Sequence, residues 1–161
     1  MAGRFTHILV PTDFSPASDA ALACAKDLAL RFNSRLTLLH AVNDPLATGV
    51  WTPDVYVPTT PEIRDGFLRT TKERMEAMLT TEERARFAVT FEARIGVPAA
   101  VIEDFAIEQK IDLIVMGTHG RRGLSHMLLG SVAERLVRHA QCPVLTTHAE
   151  SHPETASEPA A

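Results

Sequence analysis

The sequence predicts an α/β fold with a five-stranded parallel sheet in the order 3-2-1-4-5 and helices on both faces. Three short segments are continuous apolar runs, which are typical of strands covered on both faces. They are separated by segments with apolar residues at helical spacing, and such alternation predicts right-handed crossovers and a parallel sheet. The third strand alternates apolar and polar residues, which places it at an edge of the sheet.

The individual elements follow from these patterns and from their boundary residues. Ser15 and Pro16 are typical of an N-cap followed by proline at the first helical position. The predicted strands are residues 5–10, 36–42, 87–92, 112–116 and 143–147. The predicted helices are residues 17–32, 61–83, 98–109 and 130–139. The inner stripe expected for the second helix is Ile63, Phe67, Met75, Met78 and Leu79.

The chain of 161 residues is long enough for one domain with a single core. We expect this domain to span residues 1–148, followed by a disordered tail at 149–161 that lacks apolar periodicity. Residues 43–60 exceed the usual length of a loop and contain Trp51 and Tyr56. This segment is interpreted as a lid, a partner surface or a mobile insert, or as a segment whose aromatic rings pack on its own domain.

The charge balance narrows the class of protein. With 16 basic and 20 acidic side chains the net charge is −4, which disfavours a nucleic-acid partner. No segment approaches the roughly 18 apolar residues of a membrane span, and the first residues lack the apolar core of a secretory signal. Cys24 and Cys142 are far apart and form no disulfide framework. We therefore expect a cytoplasmic protein without a membrane partner.

A candidate site follows from the predicted sheet order. Ligands of open parallel sheets bind outside the carboxyl ends of the strands, where the winding reverses. This point lies between strands 1 and 4, so residues 11–15 and 117–123 should meet there. The second segment has glycine at every third position, and its Arg121 and Arg122 could face a polyphosphate. The next helix begins near Gly130, where free N–H groups and the helix dipole favour an anion.

Each of these features also has a purely structural interpretation. Glycines after a strand can simply make a tight turn, and two loop arginines can be solvated. Ser131 and Glu134 match the capping-box pattern S-x-x-E, so Ser131 could cap its helix, contact phosphate, or do both. Asp13 could hydrogen-bond a ribose, hold a metal through water or close an Asx-type turn. The P-loop and G-x-G-x-x-G motifs are absent, which disfavours the common nucleotide-binding arrangements.

Several motifs together resemble the universal stress protein family. The segment from Gly117 to Ser131 follows the run DLIVM and has the spacing G-x2-G-x9-G-S, which is similar to the family's ATP-binding signature. Three further segments look like the family's first strand and loop, second strand and last strand: residues 8–15 (ILVPTDFS), 38–42 (LLHAV) and 142–145 (CPVL). The resemblance spans about residues 4–147.

The resemblance implies a Rossmann-like fold, similar to the adenine nucleotide alpha hydrolases, with the sheet order given above. It also implies ATP as the ligand, with Mg²⁺ or Mn²⁺. The implied nucleotide-binding residues are Pro11, Thr12, Asp13, Ala41, Met116, Gly117, His119, Gly120, Arg121, Arg122, Gly123, Gly130, Ser131 and Val132. Ala41 departs from the valine that is frequent in the family, which weakens the expected adenine packing slightly.

The resemblance further implies a homodimer. Members of the family commonly pair through the last strand, here residues Val144–Thr147. This strand is short and lies at a predicted edge, so pairing with a second copy would cover exposed backbone groups.

No catalytic residue is predicted. His7 and His40 fall in predicted strands and are expected to be hydrogen-bonded core residues, and no Cys or His spacing indicates a zinc site. Ser125 and His126 are adjacent and have no evident third group to orient them as a nucleophile and base. The sequence therefore favours an ATP-binding stress-response regulatory protein. The alternatives are a slow metal-dependent ATPase that uses Asp13 and a protein-interaction module that needs no nucleotide.

Overall fold

The computed structural model describes residues 5–42, 61–118 and 129–148, and all structural statements below concern these ranges. The strands are β1 (His7–Pro11), β2 (Arg35–Val42), β3 (Val89–Ile95), β4 (Leu113–Gly117) and β5 (Val144–Thr147). The helices are α1 (Pro16–Phe32), α2 (Pro61–Glu76), α3 (Thr81–Arg86), α4 (Pro98–Glu108) and α5 (Ser131–His139). The segment 43–60 and the predicted tail at 149–161 lie outside the described residues.

The five strands form one parallel sheet in the order β3-β2-β1-β4-β5, which confirms the predicted topology. β1 lies at the centre, where Ile8 pairs with Leu36 of β2 on one side and with Leu113 of β4 on the other. β3 is an edge strand, as its alternating sequence predicts. β5 forms the opposite edge.

The core is divided between the two faces of the sheet because successive strand residues point to opposite sides. Ile8 and Val10 of β1 pack with α1 and α2 on one face. Leu9, between them, packs with α4 and α5 on the other face. All three side chains are fully buried. The helices therefore cover both faces, and this explains why the central strands read as continuous apolar runs.

The start of α1 agrees with the sequence prediction. Ser15 is the N-cap, its hydroxyl accepts a 3.3 Å hydrogen bond from the amide of Ser18, and Pro16 is the first helical residue. The helix ends at Asn33, which adopts the left-handed conformation with φ of 54°. Its buried residues are Ala17, Ser18, Ala21, Leu22, Ala25 and Ala29. All of these except Leu22 are small side chains, which allow α1 to lie close to the sheet.

The prediction of one continuous helix over residues 61–83 is wrong, because the structure breaks it into α2 and α3. Thr80 and Glu83 form a capping box, in which the Thr80 hydroxyl accepts from the Glu83 amide and the Glu83 carboxylate accepts from the Thr80 amide. These two bonds satisfy the amides of a new helix start. Of the predicted inner stripe, Met75 is fully buried, whereas Phe67 is 56% exposed. Within the described ranges, no helix is long and apolar enough to cross a membrane.

Candidate functional site

The candidate site lies at the carboxyl ends of β1 and β4, which are neighbours at the centre of the sheet. The chain continues from β1 towards β2 and β3 on one side, and from β4 to β5 on the other. This is the point at which the winding of the sheet reverses. In open parallel sheets the loops at such a point separate and commonly leave a ligand-binding crevice. The end of β4 also touches the start of α1, so the two predicted loops do begin side by side.

A tight turn at residues Thr12 to Ser15 connects β1 to α1. The Thr12 amide donates a 2.9 Å hydrogen bond to the Leu39 carbonyl, which extends the β1–β2 ladder by one residue. The Thr12 hydroxyl then accepts from the Phe14 amide, and the Asp13 Oδ1 accepts from the Ser15 amide, both at 3.1 Å. Asp13 therefore closes an Asx-type turn, one of the interpretations that the sequence allowed.

The turn is covered by a stack of side chains from three elements. The imidazole of His40 lies 4.7 Å from the ring of Phe14, measured between ring centres. The guanidinium carbon of Arg74 lies 3.8 Å from the centre of the same Phe14 ring. His40 Nδ1 lies 2.7 Å from the Thr12 carbonyl. A carbonyl only accepts, so Nδ1 is the donor. His40 is hydrogen-bonded as predicted, but it is half-buried at the rim of the sheet rather than part of the core.

Phe14 and Arg74 were not among the predicted site residues. Phe14 lies within the recognised motif at residues 8–15, but nothing local in the sequence gives its ring a partner. Arg74 lies on α2, which is distant in sequence, so only the tertiary fold brings it to the turn. The remaining β2 residue of the predicted site, Ala41, is half-buried and pairs with Arg94 of β3.

Gly117 at the end of β4 permits close packing of α1. A Cβ atom at this position would lie 2.7 Å from the carbonyl carbon of Ala17 and 2.8 Å from its oxygen. Its backbone is not left-handed, so absence of a side chain, and not a positive φ, is what this position requires. The preceding Met116 directs its buried side chain into the core beneath α4 and α5.

Thr118 connects three parts of the site. Its amide donates to the Thr147 carbonyl of β5 at 2.9 Å, and its carbonyl accepts from the Gly130 amide at 2.6 Å. Its hydroxyl lies 2.9 Å from His148 Nδ1. The side chain is only 2% exposed. Thr118 therefore fixes the start of α5 and the end of β5 relative to β4.

The start of α5 shows that the interpretation of Ser131 as the capping residue is wrong. Gly130 is the N-cap, with φ of −68° and ψ of 155°, and no side chain caps the helix. The Gly130 carbonyl accepts from the Glu134 amide at 2.8 Å, so Ser131 lies inside the first turn and is exposed. The amides at the first three helical positions, from Ser131 to Ala133, have no acceptor within the helix. They carry the positive end of the helix dipole.

Five predicted site residues lie outside the described residues: His119, Gly120, Arg121, Arg122 and Gly123. Of the others, Pro11, Thr12 and Asp13 lie at the end of β1, and Gly117 lies beside them. Gly130, Ser131 and Val132 form the start of α5, which Thr118 attaches to β4. Within the described part of the chain, no group of three His, Cys, Asp or Glu side chains could hold a metal ion.

Comparison with known proteins places this geometry in a family. A model of the universal stress protein family matches residues 4–148. Universal stress protein MJ0531 of Methanocaldococcus jannaschii is 36% identical over 149 residues, which cover 88% of this chain and 81% of that protein.

Two solved structures agree with this match. The structure of MJ0577 from the same organism is similar with a TM-score of 0.76 and 27% identity, covering 93% of this chain and all of that chain. A universal stress protein in complex with cAMP gives a TM-score of 0.58 and 26% identity, covering 92% of this chain and 100% of that one. The chain belongs to the universal stress protein family.

Proposed function

We propose that this protein is an ATP-binding stress-response regulator that acts as a homodimer, with the nucleotide held in the crevice between the ends of β1 and β4. The observation that carries the proposal is the uncapped start of α5, which a hydrogen bond from Gly130 to Thr118 fixes at the end of β4. Bound nucleotide would bias the conformation of the segment between Gly117 and Gly130.

The phosphates are proposed to lie against the first turn of α5. The amides of Ser131 and Val132 belong to the first turn, whose amides have no acceptor within the helix, and the helix dipole adds positive potential at the same place. Gly130 contributes no side chain that would obstruct an approaching phosphate. A helix start with free N–H groups is a common binding site for phosphate and other anions.

The adenosine part is proposed to lie beside the turn that follows β1. Pro11, Thr12 and Asp13 occupy that turn, and Ala41 lies at the end of the neighbouring strand. A solved relative with 26% identity is a complex with cAMP, which supports an adenine nucleotide as the ligand class. We propose a triphosphate rather than a monophosphate because several free amides at the start of α5 can donate to anionic oxygens.

Five loop residues are also proposed to contact the phosphates, and only the resemblance to the family signature supports them: His119, Gly120, Arg121, Arg122 and Gly123. For the metal, the described residues offer no cluster of three ligands. Mg²⁺ typically keeps several waters and binds through substrate phosphates with one or two carboxylates. We therefore propose that Mg²⁺ or Mn²⁺ enters with the nucleotide and is held mainly by phosphate oxygens.

The homodimer is proposed to form through β5, because this strand is one edge of the sheet. The carbonyls of Pro143 and Thr147 accept from the amides of Ile114 in β4 and of Thr118 directly after it. The alternate residues Val144 and Thr146 therefore direct their backbone groups away from the sheet. Leu145 is 36% exposed beside them. An antiparallel copy of the same strand would satisfy these backbone groups symmetrically.

Two further expectations remain proposals. The nucleotide-binding unit is proposed to be residues 1–148, with 149–161 as an appended tail. A cytoplasmic location is proposed because Cys24 and Cys142 are both free thiols, which is the usual state in a reducing compartment.

Titration calorimetry with Mg·ATP tests the proposed function directly. We expect saturable binding, together with an increase in melting temperature as the nucleotide concentration rises. A ligand at a hundredfold excess over its Kd stabilises the native state by about 2.7 kcal/mol. Mg·GTP and cAMP serve as comparison ligands for the base and the triphosphate. Absence of both heat and stabilisation with all three ligands would show the proposal to be wrong.

A further inference from the structure

We propose that Arg74 of α2 is a positioning residue for the candidate nucleotide site and that it acts through the ring of Phe14. This inference deepens the proposed function and rests on it for the identity of the ligand. The supporting observations are the backbone conformation of Phe14, the stack of side chains on its ring, and the absence of an acidic partner for Arg74 among the described residues.

Phe14 adopts a conformation that its residue type disfavours. Its φ is 63°, in the left-handed region that is a genuine outlier for a bulky side chain. Strained conformations of this kind persist only where the surroundings over-determine them. In this turn the Phe14 amide is bonded to the Thr12 hydroxyl, and the next amide, of Ser15, is bonded to Asp13.

The ring of Phe14 is fixed by contacts from two other elements. The His40 imidazole from β2 lies 4.7 Å away at an angle of 42°, and the Arg74 guanidinium from α2 lies 3.8 Å from the ring centre. His40 is itself attached to the same turn through its hydrogen bond to the Thr12 carbonyl. Arg74 therefore ties the turn to α2, alongside the packing of Phe14 against the apolar cluster that includes Met75.

The contact between Arg74 and Phe14 is a cation–π interaction. Arginine stacks on aromatic faces because its planar guanidinium is only weakly hydrated. Arg74 is exposed, and among the described residues no carboxylate forms an ion pair with it. Within those residues, the guanidinium of Arg74 lies over the ring of Phe14 and is not neutralised by a carboxylate.

Loss of this contact should affect the site through the backbone. Without Arg74, Phe14 can relax towards negative φ, and the carboxylate of Asp13 and the carbonyl of Thr12, which directly precede it, must then move. Both residues belong to the proposed adenosine side of the site. Arg74 therefore sets the geometry of nucleotide binding without touching the nucleotide.

The test compares Arg74→Met, which keeps an unbranched apolar stem, with Arg74→Lys, which keeps the cation. Arg69→Met is the matched control, because Arg69 is an exposed arginine on the same helix. We expect R74M to raise the Kd for Mg·ATP roughly three- to tenfold, R74K to raise it less, and R69M to leave it unchanged. All three variants should keep the melting temperature of the wild type within a few degrees.

A double-mutant cycle with Phe14→Leu distinguishes an effect of Arg74 through the Phe14 ring from a direct effect of its charge on the nucleotide. If Arg74 acts through the ring, R74M should have almost no further effect on Kd in the F14L background. Equal effects of R74M in both backgrounds would overturn the proposal, because they would show that Arg74 affects binding independently of the Phe14 ring.

Amide hydrogen exchange without nucleotide tests the same inference independently of ATP. R74M should accelerate exchange at Phe14 and Ser15 several-fold while the core of β1 is unaffected. Should the wild type fail to bind Mg·ATP, the proposed function is wrong, yet faster exchange in R74M would still establish Arg74 as the residue that positions the turn. Unchanged exchange at both amides would overturn that role.

Discussion

The amide of Gly130 donates a 2.6 Å hydrogen bond to the carbonyl of Thr118, and this bond joins the start of α5 to the end of β4 across residues 119–129. The same Thr118 is bonded to Thr147 and His148 at the end of β5. The proposed phosphate site and the proposed dimer edge therefore share one buried residue. A ligand at α5 and a partner at β5 would act on the same structural unit.

The first prediction concerns the charge at the start of α5. Ser131→Glu places a carboxylate in the first helical turn, where it stabilises the helix dipole but repels phosphate. We expect the Kd for Mg·ATP to rise at least tenfold while the melting temperature stays equal or increases slightly. Titration calorimetry and thermal unfolding of the same sample measure both effects.

Ser131→Ala is the control for that variant, because Ser131 is exposed and its hydroxyl does not cap the helix. We expect a loss of affinity of only a few-fold, since the backbone amides remain in place. Equal affinities of S131E and the wild type would place the phosphates elsewhere.

The second prediction tests the packing of α1 on β4. Gly117→Ala introduces a Cβ atom within 2.8 Å of the Ala17 backbone, which cannot move without displacing α1. Overpacking of this kind costs about 1–3 kcal/mol, and we expect a lower melting temperature. Gly66→Ala is the matched control: it lies inside α2 with no atom within 4 Å of the added carbon, so it should stabilise by about 0.5–1 kcal/mol. Equal stability of G117A and the wild type would contradict this packing argument.

The topology was predictable because it depends on patterns that are local and strong. The apolar runs at β1, β2 and β4 follow from burial on both faces, and the alternation in β3 follows from its place at the edge. The start of α1 was equally predictable, since serine is favoured at the N-cap and proline at the first helical position.

One error comes from two competing local signals, and the other from a tertiary hydrogen bond. Apolar spacing continues through Met75, Met78 and Leu79, and it predicts one helix, but the capping box of Thr80 and Glu83 starts a new one. At α5 the pattern S-x-x-E is present, yet the bond from Gly130 to Thr118 fixes the helix start one residue earlier. Such tertiary bonds are not visible in a local pattern, and neither is the contact between Arg74 and Phe14.

The third prediction is a loss of stability in mild acid that depends on His7. Burial and the nearby charge of Arg35 lower the pKa of His7 below its ordinary value of 6.5, against opposing contributions from the Gln109 carbonyl and Asp112. The unfolded chain therefore binds a proton more readily than the folded chain. The free energy of unfolding should decrease as the pH falls below about 6.5 towards the folded pKa, by at most about 1.4 kcal/mol per pH unit.

His7→Gln removes this titration and isolates its contribution. We expect the free energy of unfolding, measured with denaturant, to decrease more between about pH 7 and pH 5 for the wild type than for H7Q. Asp112 does not interfere in this range. Burial acts to raise the pKa of Asp112, but hydrogen bonds from Thr6 and His7 outweigh it, so the net pKa lies below 3.8. The stability that Asp112 contributes is lost only at more acidic pH. Parallel pH profiles of the two proteins would contradict the assignment.

The fourth prediction tests the dimer edge with a proline. The Thr146 backbone faces away from β4, so Thr146→Pro removes an outward amide and leaves the ladder within the subunit intact. We expect a rise of at least tenfold in the dimer dissociation constant, measured by analytical ultracentrifugation, with an unchanged circular dichroism spectrum. Thr146→Val keeps the amide and should remain dimeric. A dimer in T146P as stable as that of the wild type would exclude pairing through this strand, and a monomeric wild type would exclude the homodimer itself.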